Sequence, residues 1–169
     1  PICMVAQGTN QFIGKMWEGA GNIFQGFMSN LRVVNGRSLY TGNFNPSQIP
    51  LAQAPGGTTN LLTTFVDGRA VDYSGNTVIR SSTSTVNLTN SATKYNIYSM
   101  NFNGSTDVLT VSSTTNFVYN NNDFTWEMWV YPTSPIWAST STYFIEHGPN
   151  GGSLRYANNK VFYYNPTVA

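Results

Sequence analysis

Cysteine is nearly missing from this chain. Cys3 stands alone, so no intrachain disulfide can form and no thiolate cluster can hold a metal. Its setting, PICMVA, suits a small buried apolar side chain. Charge is also scarce: Asp, Glu, Lys and Arg make up 9% of residues, against about 25% in an ordinary soluble domain. The net charge of +1 and the lack of any Lys/Arg cluster leave no electrostatic footprint for nucleic acid. No run of 18 apolar residues marks a membrane span, so neither nucleic acid nor membrane is expected as a partner. No signal peptide is read from the sequence, and a start at Pro1 without Met fits the expectation of a processed product or a piece of something longer. Helical periodicity is missing as well, since no stretch keeps apolar residues at i, i+3, i+4 and i+7 for three turns.

Aromatic and β-branched residues are plentiful. Aromatics reach 14% and hydrophobic residues 40% of the 169, enough for one domain with a proper core. The segments VLTVSS (108–113), FTWEMWVYP (124–132), STYFIEHG (141–148), SLRYANN (153–159) and KVFYYN (160–165) alternate like half-buried strands. Asn158-Asn159 separates the last two, as a two-residue hairpin turn with positive φ would. Short strands broken by Asn-Gly punctuation predict an all-β chain folded as an antiparallel sandwich. Composition shifts around SQIPLAQAPGGTTN (47–60), where Pro50, Pro55 and the pair Gly56-Gly57 suggest a linker or a long surface crossing. The polar stretch RSSTSTVNLTNSATK (80–94) reads as an extended loop with at most one short strand.

Three segments then carry a resemblance. LLTTFVDGRAVDYSGN (61–76), YSMNFNGSTDVLTVSSTTNF (98–117) and DFTWEMWVYP (123–132) resemble, in order, the opening half of concanavalin A-like, laminin-G-type domains. IFQGFMSNLRVVNGRSLYTGNFNPSQIPL (23–51) is similar to the closing half of such modules in bacteriophage tail and virion structural proteins. The expected organisation is therefore a closing half over residues 1–50, a linker over 51–60 and an opening half over 61–169. The resemblance implies a concanavalin A-like jelly roll. Because the closing half comes first, the chain is either a slice of a tandem array or a permuted, incomplete sandwich whose missing strands come from a neighbouring chain. It implies a non-enzymatic structural or assembly module of a phage virion (fibre, tail or capsid decoration) with host-glycan contact. The alternative is a carbohydrate-binding adhesion module of a bacterial or phage surface protein. Expected partners are copies of itself, other virion proteins and cell-surface glycans, and the expected location is the virion or an extracellular surface.

Candidate sites follow from residue chemistry. Glu127 sits between Trp126 and Trp129, a setting that invites comparison with glycosidases. Retaining hydrolysis needs two carboxyl groups about 5 Å apart. In the frame Glu127-Met128-Trp129-Val130-Tyr131 no second acid exists, so no catalytic residue is assigned. Arg32, in NLRVVNG, needs a partner if buried, and Glu127 is the expected one. Alternation puts Phe124, Trp126, Met128 and Val130 on the core face, with Thr125, Glu127, Trp129 and Tyr131 opposite. Trp129, Tyr131, Trp137 and Tyr143 are candidate glycan-stacking rings; Trp129 and Tyr131 are equally suited to packing beneath a loop, and Trp137, which follows Pro135 in SPIWAST, is the best candidate for an exposed ring. His147 lacks a nucleophile elbow or further zinc ligands and reads as a strand-end residue. No cofactor is expected, with calcium the one metal to weigh. Asp72, Asn76, Asp107 and Asp123 bear loop oxygens for a hard cation, and the same residues suit turns and caps.

Overall fold

The computed structural model describes residues 10–16, 23–64, 71–75, 78–81, 87–95, 98–112, 117–119, 122–133, 141–148 and 152–164. Cys3, Asn76 and Trp137 lie outside them. Every element among these residues is a strand: β1 (Gln11–Ile13), β2 (Gln25–Asn35), β3 (Thr58–Thr63), β4 (Val78–Ser81), β5 (Asn87–Thr89), β6 (Ser99–Asn103), β7 (Leu109–Ser112), β8 (Phe124–Pro132), β9 (Thr142–Glu146), β10 (Ser153–Ala157) and β11 (Lys160–Tyr164). One antiparallel sheet runs β11-β10-β9-β1-β7-β4. The other runs β3-β2-β6-β5, with β8 on the opposite flank of β2. The chain is thus all-β, built from two antiparallel sheets.

The two sheets share one core. Ile13, Leu109, Val111, Phe144 and Ile145 come from the first; Met28, Leu31, Val33, Leu61, Met100 and Phe102 come from the second. Phe24 sits between them, edge-on to Phe102 at 5.8 Å and to Phe144 at 5.4 Å. Its ring is fully buried. Strands from either side of the Pro/Gly-rich stretch pair directly, since β1 lies between β7 and β9, and β2 joins β3, β6 and β8. The span expected as linker differs from that reading: Thr58 to Asn60 open β3, and Leu51 is buried.

Strand β2 is the spine of its sheet. Its first half pairs β6 and its second half pairs β3 on one edge, while β8 runs along the other. A bulge between Ser29 and Arg32 breaks its alternation, and Asn30 there takes φ 51°. Met28 and Leu31 consequently both face the core, and Arg32 turns to the outer face of the sheet. The β10–β11 hairpin closes through Asn158 and Asn159 at φ 50° and 61°, which matches the turn chemistry read from the sequence. Gly26 holds φ 145°, and a Cβ there would lie 2.3 Å from the Tyr131 carbonyl oxygen. Backbone cannot yield as a side-chain tip can, so β2 and β8 would have to part. Gly26→Ala is expected to cost at least about 2 kcal/mol, read as a lowered urea midpoint with the fold otherwise kept.

Candidate functional site

The chemistry gathers on both sides of β8. On the outer face the bulge in β2 brings Arg32 opposite Glu127. The Arg32 Nε and Nη2 donate to Glu127 Oε2 at 3.1 and 2.7 Å. Its Nη1 donates to the Ala52 carbonyl at 2.7 Å. The other carboxylate oxygen, Oε1, accepts from the Tyr40 hydroxyl at 3.0 Å. Burial, and then the neighbouring Glu127 carboxylate, push the Tyr40 phenol above its ordinary range. Both carboxylate oxygens of Glu127 are engaged by donors. Arg32 in turn ties its own strand, β2, to two other segments: β8 and the 36–57 stretch between β2 and β3.

That stretch is a cover rather than a loose linker. Asn30 Oδ1 accepts from the Leu51 N–H at 2.9 Å, Ala54 N–H donates to Thr59 Oγ1 at 2.8 Å, and Arg37 donates to the Pro55 carbonyl. Tyr40 and Phe44 stack at 3.8 Å between ring centroids. Tyr40 and Ala52 were missed from the sequence. Tyr40 carried a faint signal as the aromatic of SLYTGNF; a backbone carbonyl such as Ala52 carries none.

Beneath this cover and beside β8 lies a cavity of about 420 Å³. Tyr40, Phe44 and Leu51 form one wall, and Phe144, Leu154 and Val161 form the other. Residues from both faces of β8 line it, because the strand's free edge is its floor: among the described residues β8 pairs only with β2. The Thr133 N–H donates to Gln25 O, and Asp123 O accepts from the Gly36 N–H. Neighbouring residues on a strand point their backbone groups in opposite directions. Odd-numbered residues of β8 therefore address β2, and Phe124, Trp126, Met128 and Val130 turn their N–H and C=O groups into the slot. Pro132, which has no N–H, sits at the end of that row.

His147 lies deeper, just past β9, and is buried. Trp126 is 4.6 Å away ring to ring, and Nε2 is 3.3 Å from the Tyr119 hydroxyl, which also accepts from Trp126 Nε1 at 2.9 Å. Burial lowers the His147 pKa to about 3 and holds the Tyr119 phenol well above its ordinary value.

The outer face of the second sheet carries another cleft, of about 700 Å³. Trp129 and Tyr131 line it with Phe27, Ser29, Ser99 and the β5–β6 connection. Lys94 Nζ stands 4.1 Å over the Trp129 ring. The three described candidate rings do not share one surface, and Trp137 lies outside the described residues. Tyr143 belongs to the other sheet, is buried, and accepts from Arg155 Nη1 at 2.8 Å.

The described calcium candidates, Asp72, Asp107 and Asp123, are engaged by local partners, and Asn76 lies outside the described residues. Asp72 Oδ1 accepts from the Leu62 and Ser74 N–H groups at 2.8 and 2.9 Å, and Oδ2 from the Ser74 hydroxyl at 2.7 Å. Asp107 Oδ2 accepts from the Asn103 N–H at 2.9 Å. These carboxylates cap turns, while Asp123 contributes its carbonyl to the β2–β8 pairing. Among the described residues no three His, Cys, Asp or Glu side chains gather as a metal site would require. Compared with protein-family models, curated proteins and solved structures, the chain matches none of them.

Two outcomes follow from these contacts. Glu127→Ala leaves the Arg32 guanidinium covered and without its acid, and is expected to lose about 3 kcal/mol in chemical denaturation. Tyr40→Phe removes one hydrogen bond and loses about 1 kcal/mol. The second outcome concerns pH. The unfolded chain takes up the His147 proton near the ordinary value of about 6.5, whereas the folded chain does so only near 3. The unfolded state thus binds more protons throughout that window, so stability falls as pH drops through it. This histidine alone contributes a slope of up to about 1.4 kcal/mol per pH unit. The wild-type curve minus that of His147→Gln isolates the slope; parallel curves would show that the ring titrates normally.

Proposed function

We propose that the chain is a non-enzymatic assembly module, a concanavalin A-like sandwich of the virion or extracellular-surface kind that its laminin-G-like motifs imply. On this reading it is completed by a strand from a neighbouring copy. The edge of β8 that no described strand pairs, at the floor of an apolar slot, is the observation that carries the reading. An extended segment laid there would pair with the backbone of Phe124, Trp126, Met128 and Val130, which is strand addition. Its alternate side chains would cover Trp126, Met128 and Val130, core-facing residues that remain only half-buried. The walls on either side also select the occupant. With side chains such as Tyr40 and Val161 bordering the slot, a lone terminal or loop segment suits it better as donor than the flanked β8 of a second molecule.

Size-exclusion chromatography with light scattering tests this. The wild-type chain should form oligomers that bury more than about 1,000 Å² per contact. Met128→Pro removes an edge N–H that the β2 ladder does not use, in a setting where edge strands tolerate proline. That variant should melt below the wild type, because part of a core-packed side chain is lost, yet stay folded and run as a monomer. A wild-type chain that stays monomeric up to its solubility limit, or a Met128→Pro chain that still assembles, overturns the proposal.

A further inference from the structure

The cleft on the other side of β8 has a different chemistry. Its floor is a cross-strand ladder in which Phe27 faces Tyr131 and Ser29 faces Trp129. The Phe27 and Tyr131 rings lie 6.2 Å apart, and Tyr131 is 63% exposed. A tyrosine presenting that much ring to water on a sheet face is a stacking surface, and among the described residues its one ring neighbour, Phe27, is tilted rather than stacked. Trp129 offers no such face, because Lys94 occupies it and Tyr95 meets it edge-on at 6.2 Å.

Lys94 is the second unused group. Its ammonium rests on Trp129 at 4.1 Å and near Tyr95 at 5.6 Å. Among the described residues it has neither a carboxylate partner nor a hydrogen-bond acceptor, and no acidic side chain lines the cleft. An ammonium carries three donors. One side is turned to the indole, and the others face a space bordered by Asn90, Ser91, Thr93 and Ser99. Ser99 is buried, and its hydroxyl donates to the Ala92 carbonyl at 2.5 Å, which ties the β5–β6 connection to the sheet and fixes where Lys94 stands.

We propose that this cleft binds an acidic saccharide, with Tyr131 stacking on the apolar face of one sugar ring and Lys94 taking the carboxylate of the next. Trp129 and Tyr131 are two residues apart on β8, which separates them by roughly 7 Å along the strand. A ring on Tyr131 therefore leaves its neighbour beside Lys94. The hydroxyl and amide groups of the rim suit the sugar's remaining hydroxyls. A neutral saccharide would use the stacking surface alone and leave the ammonium unpaired. The indole beneath Lys94 holds it in place, so little side-chain entropy is lost on binding.

Isothermal titration with tetragalacturonic acid, and with cellotetraose as its neutral counterpart, decides the matter. Tetragalacturonic acid should bind at least tenfold more tightly than cellotetraose and weaken as salt is raised. Lys94→Gln should bring the two ligands to similar affinity, and Tyr131→Ala, at an exposed position, should remove both without moving the thermal melt. Equal binding of the two sugars by the wild type, or tetragalacturonic acid affinity unchanged in Lys94→Gln, overturns the carboxylate role. Absence of binding to both sugars overturns the site itself. Each outcome is independent of the β8 edge, whose test reads oligomeric state.

Discussion

The covered charge of Arg32 constrains the second sheet more than any other group. With 7% of the residue exposed, its guanidinium has to find partners inside the protein. Three conditions have to hold together for that. The bulge in β2 must turn the side chain outward, β8 must run in the register that puts Glu127 opposite, and the 36–57 cover must close so that Ala52 and Tyr40 arrive. A slip of β8 by one residue would carry Glu127 into the core and Trp126 out of it. Register, bulge and cover are therefore coupled through one ion pair, although none of the three is itself electrostatic.

Alternation made much of this visible in advance. Strands β7 to β11 form within the segments that alternation marked out, the Asn158-Asn159 turn follows from its tolerance of positive φ, and the core face of β8 is the uniformly apolar one. Arg32 and Glu127 also meet. The route to that meeting was not legible. Strict alternation from Met28 would turn Asn30 and Arg32 inward together; only the bulge, with Asn30 left-handed, reverses the phase. A period-two pattern has no way to announce an inserted residue. The cover was hidden for a different reason. Its anchors are backbone groups of Leu51, Ala52 and Pro55, which have no residue signature, so the prolines and glycines left linker and surface crossing both open.

Tyr143 illustrates a third limit. Periodicity sorts side chains into two faces but does not say which outer face is covered, and Tyr143 is buried beside Arg155 rather than open to a ligand. The aspartates are similar. Asp72 and Asp107 sit in loops, as a cation site would have them, yet their oxygens are taken by N–H groups a few residues away along the chain or across the sheet. Turn-capping and metal binding draw on the same residue types, and only geometry separates them.

The two clefts divide one strand between them. Even-numbered residues of β8 turn their side chains toward the core and their backbone toward the slot, while Trp129 and Tyr131 furnish the outer cleft. Low charge bears on both. Long free edges are commonly guarded by lysine, inward-pointing acids, proline or a bulge. Along β8 the one inward-facing guard is Pro132 at its end, and the one charged residue, Glu127, is neutralised by Arg32. Such an edge would template indiscriminate pairing if it were open on both sides. On the proposed assembly reading the walls bear on this choice: Tyr40 and Phe44 border the slot on one side and Val161 on the other, so an incoming segment meets side chains on both flanks. Shape then does at this edge what charge does elsewhere, and a chain with 9% charged residues has few other means of choosing what may pair with it.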